Sequence, residues 1–240
     1  MAIYDVLDNT SRGMTGEYGQ LNVWDDTLSK YVLFMPLETL PSVVGSTNTV
    51  ENDVTTSRVI GKIKGKKTID DKDVTFLWCR DNIERLNQFV GKQLRFLVSY
   101  KDGTGWKFSG EIVYKPDDAG ASDKVNGTFT IIASSCDDVA TSNVYDLMAK
   151  TCVITNSDLP SEIRLEKTSG SVEIPVQFSN ASATLPSEIP SDNNAIKATY
   201  SGGKVTISTT SGTATSGIVK LTPTVEGEAS WTNYILVIVE

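Results

Sequence analysis

The chain has 240 residues and carries 22 basic and 30 acidic side chains, a net charge of −8, and no histidine. That length suits one large all-β domain or two modest ones, and it buries roughly 70% of the unfolded surface, so no disulfide or metal staple is needed. The acidic balance lacks the electrostatic footprint of a nucleic-acid grip. The missing histidine removes Ser-His-Asp and Cys-His catalysis, His-containing zinc sites and the usual pH switch.

The opening stretch MAIYDVLDNTSRG has neither a basic nor an apolar region of the kind a signal peptide needs, so a soluble, unsecreted protein is expected. Lys30–Met35 and Val74–Cys79 are near-continuous apolar runs of strand length, predicted to be strands buried on both faces. Between them, Leu37–Thr55 contains Pro41, with Pro36 just before it, and no clean periodicity. Loops longer than about 12–15 residues are uncommon inside compact domains. The valines of this one predict a loop built to fold onto a partner.

Arg58, Lys62, Lys64 and Lys66 fall at even positions of a strand-like stretch and are predicted to share one face. That face is read as solvated, as intersubunit pairing with the acids Asp70, Asp71 and Asp73 that follow, or as a phosphate contact. A helix is predicted over Asn82–Val90, with Asp81 as N-cap, Glu84 completing a capping box, Ile83, Leu86 and Val90 as its apolar stripe, and Gly91 as its stop. Gln93–Lys101 and Trp106–Tyr114 flank Asp102-Gly103-Thr104-Gly105, a hairpin signal, and Asn126–Ala133 reads as another strand.

After Lys150 the chain becomes poor in charge and rich in Ser and Thr. Residues 1–150 hold 17 basic and 21 acidic groups and the rest 5 and 9, so each part carries −4. Six strands are predicted at Glu162–Lys167, Val172–Phe178, Ala195–Tyr200, Lys204–Thr209, Gly217–Val225 and Asn233–Val239, enough for a sandwich of immunoglobulin-like size. The longest apolar run, Tyr234–Val239, is far short of the ~18 residues of a membrane span. LPSEI occurs at Leu159–Ile163 and returns at Leu185–Ile189, a local echo with turn chemistry. The linker is expected in Thr155–Pro160, which divides the chain into domains 1–155 and 156–240.

Cys79, Cys136 and Cys152 are odd in number and form no CxxC pair, so they are expected to be buried or half-buried free thiols. Asp117-Asp118 and Asp137-Asp138 read as turns, without the spacing of a calcium loop. Gly103-Thr104-Gly105 and Gly110 do not form a phosphate-binding fingerprint. Catalytic residues, metal ligands and cofactors are all expected to be absent, so the chain reads as no enzyme.

The phrases GKKTIDDKDVTFLW, RDN at the helix start, DGTG followed by KFSGEI, and YKPDD, in this order and spacing, resemble the major tail tube proteins of long-tailed bacteriophages over about residues 1–150. The resemblance implies a mainly β fold: an N-terminal sandwich or split barrel with one packed helix, followed by an immunoglobulin-like sandwich. It implies a virion protein, assembled in the bacterial cytoplasm, whose homohexameric rings stack into a tail tube that conducts DNA during ejection without binding it specifically. Tape-measure, tail terminator and baseplate proteins are the implied partners, and no membrane is. Pro41, Val43, Val44, Val50, Glu51 and Asp53 would then lie in the inter-ring loop. Arg58, Lys62, Lys64, Lys66, Asp70, Asp71 and Asp73 would be subunit-interface charges, and Glu111 a lumen residue. The alternative is a monomeric adhesin or carbohydrate-binding module built on the Ser/Thr-rich second domain.

Overall fold

A computed structural model describes residues 19–240 apart from 38, 43–45, 53–60, 119, 121–123, 168–169 and 211. Among the described residues the protein is mainly β with one α-helix, and the chain divides into two compact units, Met1–Met148 and Ala149–Glu240.

The first unit runs β1 (Gln20–Asp25), β2 (Lys30–Leu33), β3 (Ser46–Asn52), β4 (Gly61–Thr68), β5 (Lys72–Leu77), α1 (Arg80–Asn87), β6 (Leu94–Ser99), β7 (Gly105–Pro116) and β8 (Asn126–Cys136), then a 3-10 turn at Tyr145–Leu147. Six strands form one sheet in the order β2-β1-β6-β7-β8-β5, every neighbour antiparallel. The β6–β7 hairpin closes as its sequence predicts. Gly103 takes φ +84°, and the Asp102 carboxylate accepts hydrogen bonds from the Thr104 N–H at 2.9 Å and hydroxyl at 2.7 Å.

One face of this sheet carries Leu21, Val23, Val74, Phe76, Phe96, Phe108, Ile112, Phe129 and Ile131, all buried. Phe34 sits at its centre, with ring centroids 5.6 Å from Phe89, 6.0 Å from Phe96 and 5.5 Å from Phe129. The helix is pinned over this core from two sides. The Arg85 guanidinium donates to the carbonyls of Phe34 (3.2 Å) and Leu33 (3.1 Å), and the Tyr114 hydroxyl donates to the Asn87 side chain at 2.5 Å. Among the described residues the opposite face is covered at the β1–β2–β6 end, where Tyr31, Leu97 and Val144 form a small second core with Trp24, Leu147 and Met148 against it. Gly105 is required there, because a Cβ would stand 2.5 Å from Val144 Cγ1 and 2.6 Å from the Val98 carbonyl.

The helix differs from its predicted span. Cys79 is the N-cap, in extended conformation (φ −137°, ψ 162°), and its carbonyl accepts from the Ile83 N–H at 3.0 Å. Asp81 therefore lies in the first turn, where its charge still suits the helix dipole. Leu86 and Phe89 face the core, whereas Val90 is 43% exposed and lies in the turn leading to Gly91. The apolar run at Val74–Cys79 is likewise not buried on both sides. Val74 and Phe76 are buried but Leu77 is 45% exposed, because among the described residues helix and core cover one face of this end of the sheet.

The second unit runs β9 (Thr151–Cys152), β10 (Glu162–Leu165), β11 (Ser171–Pro175), β12 (Glu188–Ile189), β13 (Ile196–Ser201), β14 (Lys204–Thr209), β15 (Thr215–Leu221), β16 (Ala229–Ser230) and β17 (Asn233–Val239). Sheets β10-β17-β15 and β11-β14-β13-β12 form a sandwich around Ile163, Leu165, Ile174, Val205, Ile207, Val219, Leu221, Ile235 and Val237. The LPSEI echo has a structural counterpart. In each copy the Ser carbonyl accepts from a neighbouring strand, Ser161 from Leu236 N–H at 2.9 Å and Ser187 from Tyr200 N–H at 3.0 Å. The Ile two residues on then enters the core from opposite sheets.

The unit boundary falls earlier than the composition break implies. Residues 150–156 are strand-paired within the second unit. Ala229 N–H donates to the Lys150 carbonyl (2.9 Å), Trp231 N–H to Cys152 (3.0 Å) and Thr155 N–H to Gln177 (2.9 Å). The Asn156 side chain donates to the Pro175 carbonyl (3.0 Å) and accepts from the Gln177 N–H (2.7 Å), extending the edge of β11. Met148 is bridged to Tyr31 on the other side of the boundary, so Ala149 alone separates the two sets of bonds.

Candidate assembly surface

Among the described residues, three features of the first unit present backbone or side chains that no other element covers. The first is the ribbon β3–β4, whose strands pair only with each other among the described residues. Ser46–Thr49 of this ribbon are exposed. A two-stranded ribbon gains little stability alone. The second is the outer edge of β5, a sheet edge that no described strand pairs, whereas the other edge strand, β2, is bridged by Met148. The third is the open half of the second sheet face, over β7, β8 and β5. Glu111, Val113 and Lys115 stand outward there, with Val113 48% and Ile132 47% exposed. In register with them, Val113 lies opposite Thr130, and Thr130 opposite Asp73, whose carboxylate accepts the Thr130 hydroxyl at 2.6 Å.

These features locate the residues that the sequence singled out. Asp73 and Glu111 share the open sheet face. Asp70 and Asp71 are exposed in the short turn between β4 and β5. The predicted loop Leu37–Thr55 is in part a strand: Val50 and Glu51 belong to β3 and pair with Ile63 and Lys62 of β4, because the polar β-branched run STNTVEN finds an antiparallel partner. Pro41 is buried, unlike a tip residue reaching for a neighbour. Val43, Val44, Asp53 and Arg58 lie outside the described residues. Lys62, Lys64 and Lys66 are all in β4, but the register shifts between Thr47 and Thr49, so period-two parity does not run unbroken from Lys62 to Lys66.

Exposed Val113, Ile132 and Leu77 were not singled out by the sequence reading. The alternation of Glu111, Val113 and Lys115 with Ile112 and Tyr114 is the signal that could have found Val113. It identifies a one-sided strand, but not which side stays open.

The second unit blunts its edges. Arg164 on β10 is paired with Glu162 at 2.9 Å and Glu240 at 3.0 Å, and edge strand β11 carries Glu173, paired with Lys204 at 2.9 Å, and ends in Pro175. Charges and proline on edges discourage strand addition. A shallow cleft of about 300 Å³ beside β12 and β13 is lined by Glu188, Ser191, Asn193 and Lys197. The Asn193 amide is committed internally, to the Thr215 hydroxyl (2.7 Å) and the Ser216 carbonyl (2.8 Å).

All three cysteines are free thiols. Burial pushes the Cys79 thiol above its ordinary range, with the charge of Asp81 adding to it, against opposing backbone hydrogen bonds from Asn82 and Asp81. Among the described residues no helix is long and apolar enough to cross a membrane.

Among the described residues the protein is mainly β and of two units, one with an unpaired sheet edge, a half-open sheet face and a separate two-stranded ribbon, the other a sandwich whose edge strands β10 and β11 carry ion pairs. No protein-family model matches the chain, and no curated protein matches it in sequence.

Proposed function

We propose that the chain is a structural subunit that polymerises as stacked hexameric rings into a bacteriophage-type tail tube, the conduit for DNA ejection. One observation carries this reading. GKKTIDDKDVTFLW, one of the linked phrases that carry the family resemblance, spans the second half of ribbon strand β4, a short turn and edge strand β5, and each of these strands has one edge that no described strand pairs.

Edge-to-edge pairing of sheets from neighbouring subunits satisfies β5 and removes an aggregation-prone edge by closure. A ribbon outside the sheet supplies the contact between rings. The guarded edges of the second unit favour its place outside the wall, where it takes no part in strand pairing. A tube that conducts DNA must touch a polyanion without holding it, and acids such as Asp73 and Glu111 on the open face suit such a wall.

Negative-stain electron microscopy of the concentrated full chain tests this proposal. Rings and tubes are expected. A chain that stays monomeric at every concentration, or that is retained on a glycan matrix as a monomer, overturns it in favour of an adhesin-type module.

A further inference from the structure

Strand β17 departs from the alternation that a two-layer sandwich requires. Its inward residues Ile235, Val237 and Val239 fill the core, but its outward positions include Leu236 and Ile238, both aliphatic. Ile218 of β15 lies in register beside Leu236, adding a third outward aliphatic side chain. All three keep partial exposure. Such a continuous apolar run is the pattern of a strand covered on both faces; among the described residues the outward side is covered at Tyr234, which is buried, and left partly open at Leu236 and Ile238.

The charges around this strip are arranged in a self-complementary way. Glu162 is in register with Leu236, and Arg164 with Ile238, on the parallel-paired strand β10. Consider a two-fold axis lying across the strands, midway between these two rows. It brings Glu162 over Arg164 of a second copy, Arg164 over the second Glu162, and Leu236 over Ile238 in both directions. Ile218 then meets Ser216, the β15 residue in register with Ile238. Successive rows on one face lie ~6.6 Å apart along a strand, so the axis needs only half that offset. No like charges are opposed, and Glu240, already bonded to Arg164 at 3.0 Å, joins the same cluster.

We infer that the outer face of the β10-β17-β15 sheet is an isologous contact between two copies of this chain, with Leu236, Ile238 and Ile218 at its centre and the Glu162–Arg164 pairs at its rim. This contact is independent of the tube wall, which the first unit builds. Three aliphatic side chains a side make it a weak, transient association, read at roughly micromolar to hundred-micromolar concentration. Self-complementarity is the usual signature of a two-fold contact.

Sedimentation velocity of the full chain, run at concentrations below those that give rings, tests the inference. A reversible monomer–dimer equilibrium is expected. Arg164→Glu, which opposes two glutamates across the axis, should weaken it at least about tenfold. The exchanged pair Glu162→Arg with Arg164→Glu should restore it to within about threefold, and Ile238→Lys should abolish it. Glu173→Arg, on the other sheet, should leave it unchanged and serves as the charge control. A chain that remains monomeric over this range overturns the proposal, as does an association insensitive to Arg164→Glu or one that the exchanged pair fails to restore. Tube formation is scored separately by microscopy, so either reading can fail without the other.

Discussion

The Arg85 guanidinium donates to the Phe34 carbonyl at 3.2 Å and to the Leu33 carbonyl at 3.1 Å, joining helix α1 to the end of a strand far away in sequence. The same guanidinium lies 5.0 Å from the centroid of the Phe89 ring, so one side chain ties helix, strand end and core together. Arg85→Ala should destabilise the first unit by about 2–3 kcal/mol, since it leaves two backbone carbonyls short of donors next to a packed core. Urea denaturation followed by tryptophan fluorescence measures it. A loss under about 0.5 kcal/mol would mean water replaces the guanidinium without cost.

The early unit boundary gives a second expectation. A chain comprising 149–240 should fold cooperatively, whereas one starting at Asn156 should melt several degrees lower, because it loses β9, buried Cys152 and the backbone bonds at Lys150 and Thr155. For the same reason a chain ending at Met148 is the cleaner test of tube formation by the first unit alone. It keeps the Met148–Tyr31 bridge and carries no orphaned strand. Equal melting temperatures for the two sandwich fragments would count against this boundary.

The ribbon calls for a paired deletion. Removing β3 alone strands β4 without its hydrogen-bond partner, so the informative variant replaces residues 46–68 with a short flexible link. Cooperative unfolding of that variant should persist with a nearly unchanged midpoint, while rings lose the ability to stack. Long tubes from the deleted chain would remove the ribbon from the stacking contact.

Cys79 sits at a helix N-terminus, a position that often activates a thiol. Here burial wins and its acidity is reduced. Alkylation by iodoacetamide near neutral pH should be slow relative to a model thiol peptide and should accelerate only in alkaline solution, as mass spectrometry of the labelled site would report. The sign for stability follows. The thiol ionises more readily in the unfolded chain, so its contribution is complete below the ordinary thiol range and is lost as pH rises through the folded value. Rapid labelling of the folded protein at pH 7 would contradict this.

The open face offers a test of the conduit. Glu111 is exposed, so Glu111→Lys should leave stability within about 0.5 kcal/mol. Assembled tubes of the unaltered chain should not retain DNA at moderate salt, and tubes of the reversed variant should retain it in a salt-sensitive way. Salt-sensitive binding by unaltered tubes would refute the account of the acidic surface.

The second unit was largely legible in its sequence. Lys204–Thr209 and Asn233–Val239 are strands with the bounds predicted, and the other four predicted strands shift by a few residues, because Gly-rich turns and period-two alternation are local signals that the final fold leaves in place. The DGTG hairpin was legible for the same reason. Strands β9 and β16 were not, since two-residue pairings carry no periodicity and exist only because their partners, 78 residues apart, are brought together. The helix start was misplaced because Asp81 is a good cap locally, but the Asn82 side chain donates to the Leu77 carbonyl at 2.8 Å and draws the first turn back onto the strand.

Residue types alone determined that this protein is β-rich, acidic and without imidazole chemistry, and that a long stretch before the helix had no place in a simple core. Tertiary structure decided what that stretch becomes: β3 is a strand only because β4 supplies its hydrogen bonds across intervening residues. It also decided which apolar residues stay outside. Val113, Ile132 and Leu77 look like core residues in the sequence, and the coverage of one sheet face by α1, with no described residue packed over the far half of the other, leaves them exposed. Burial depends on what packs above a residue, and period-two alternation specifies the two faces of a strand without saying which will find a cover.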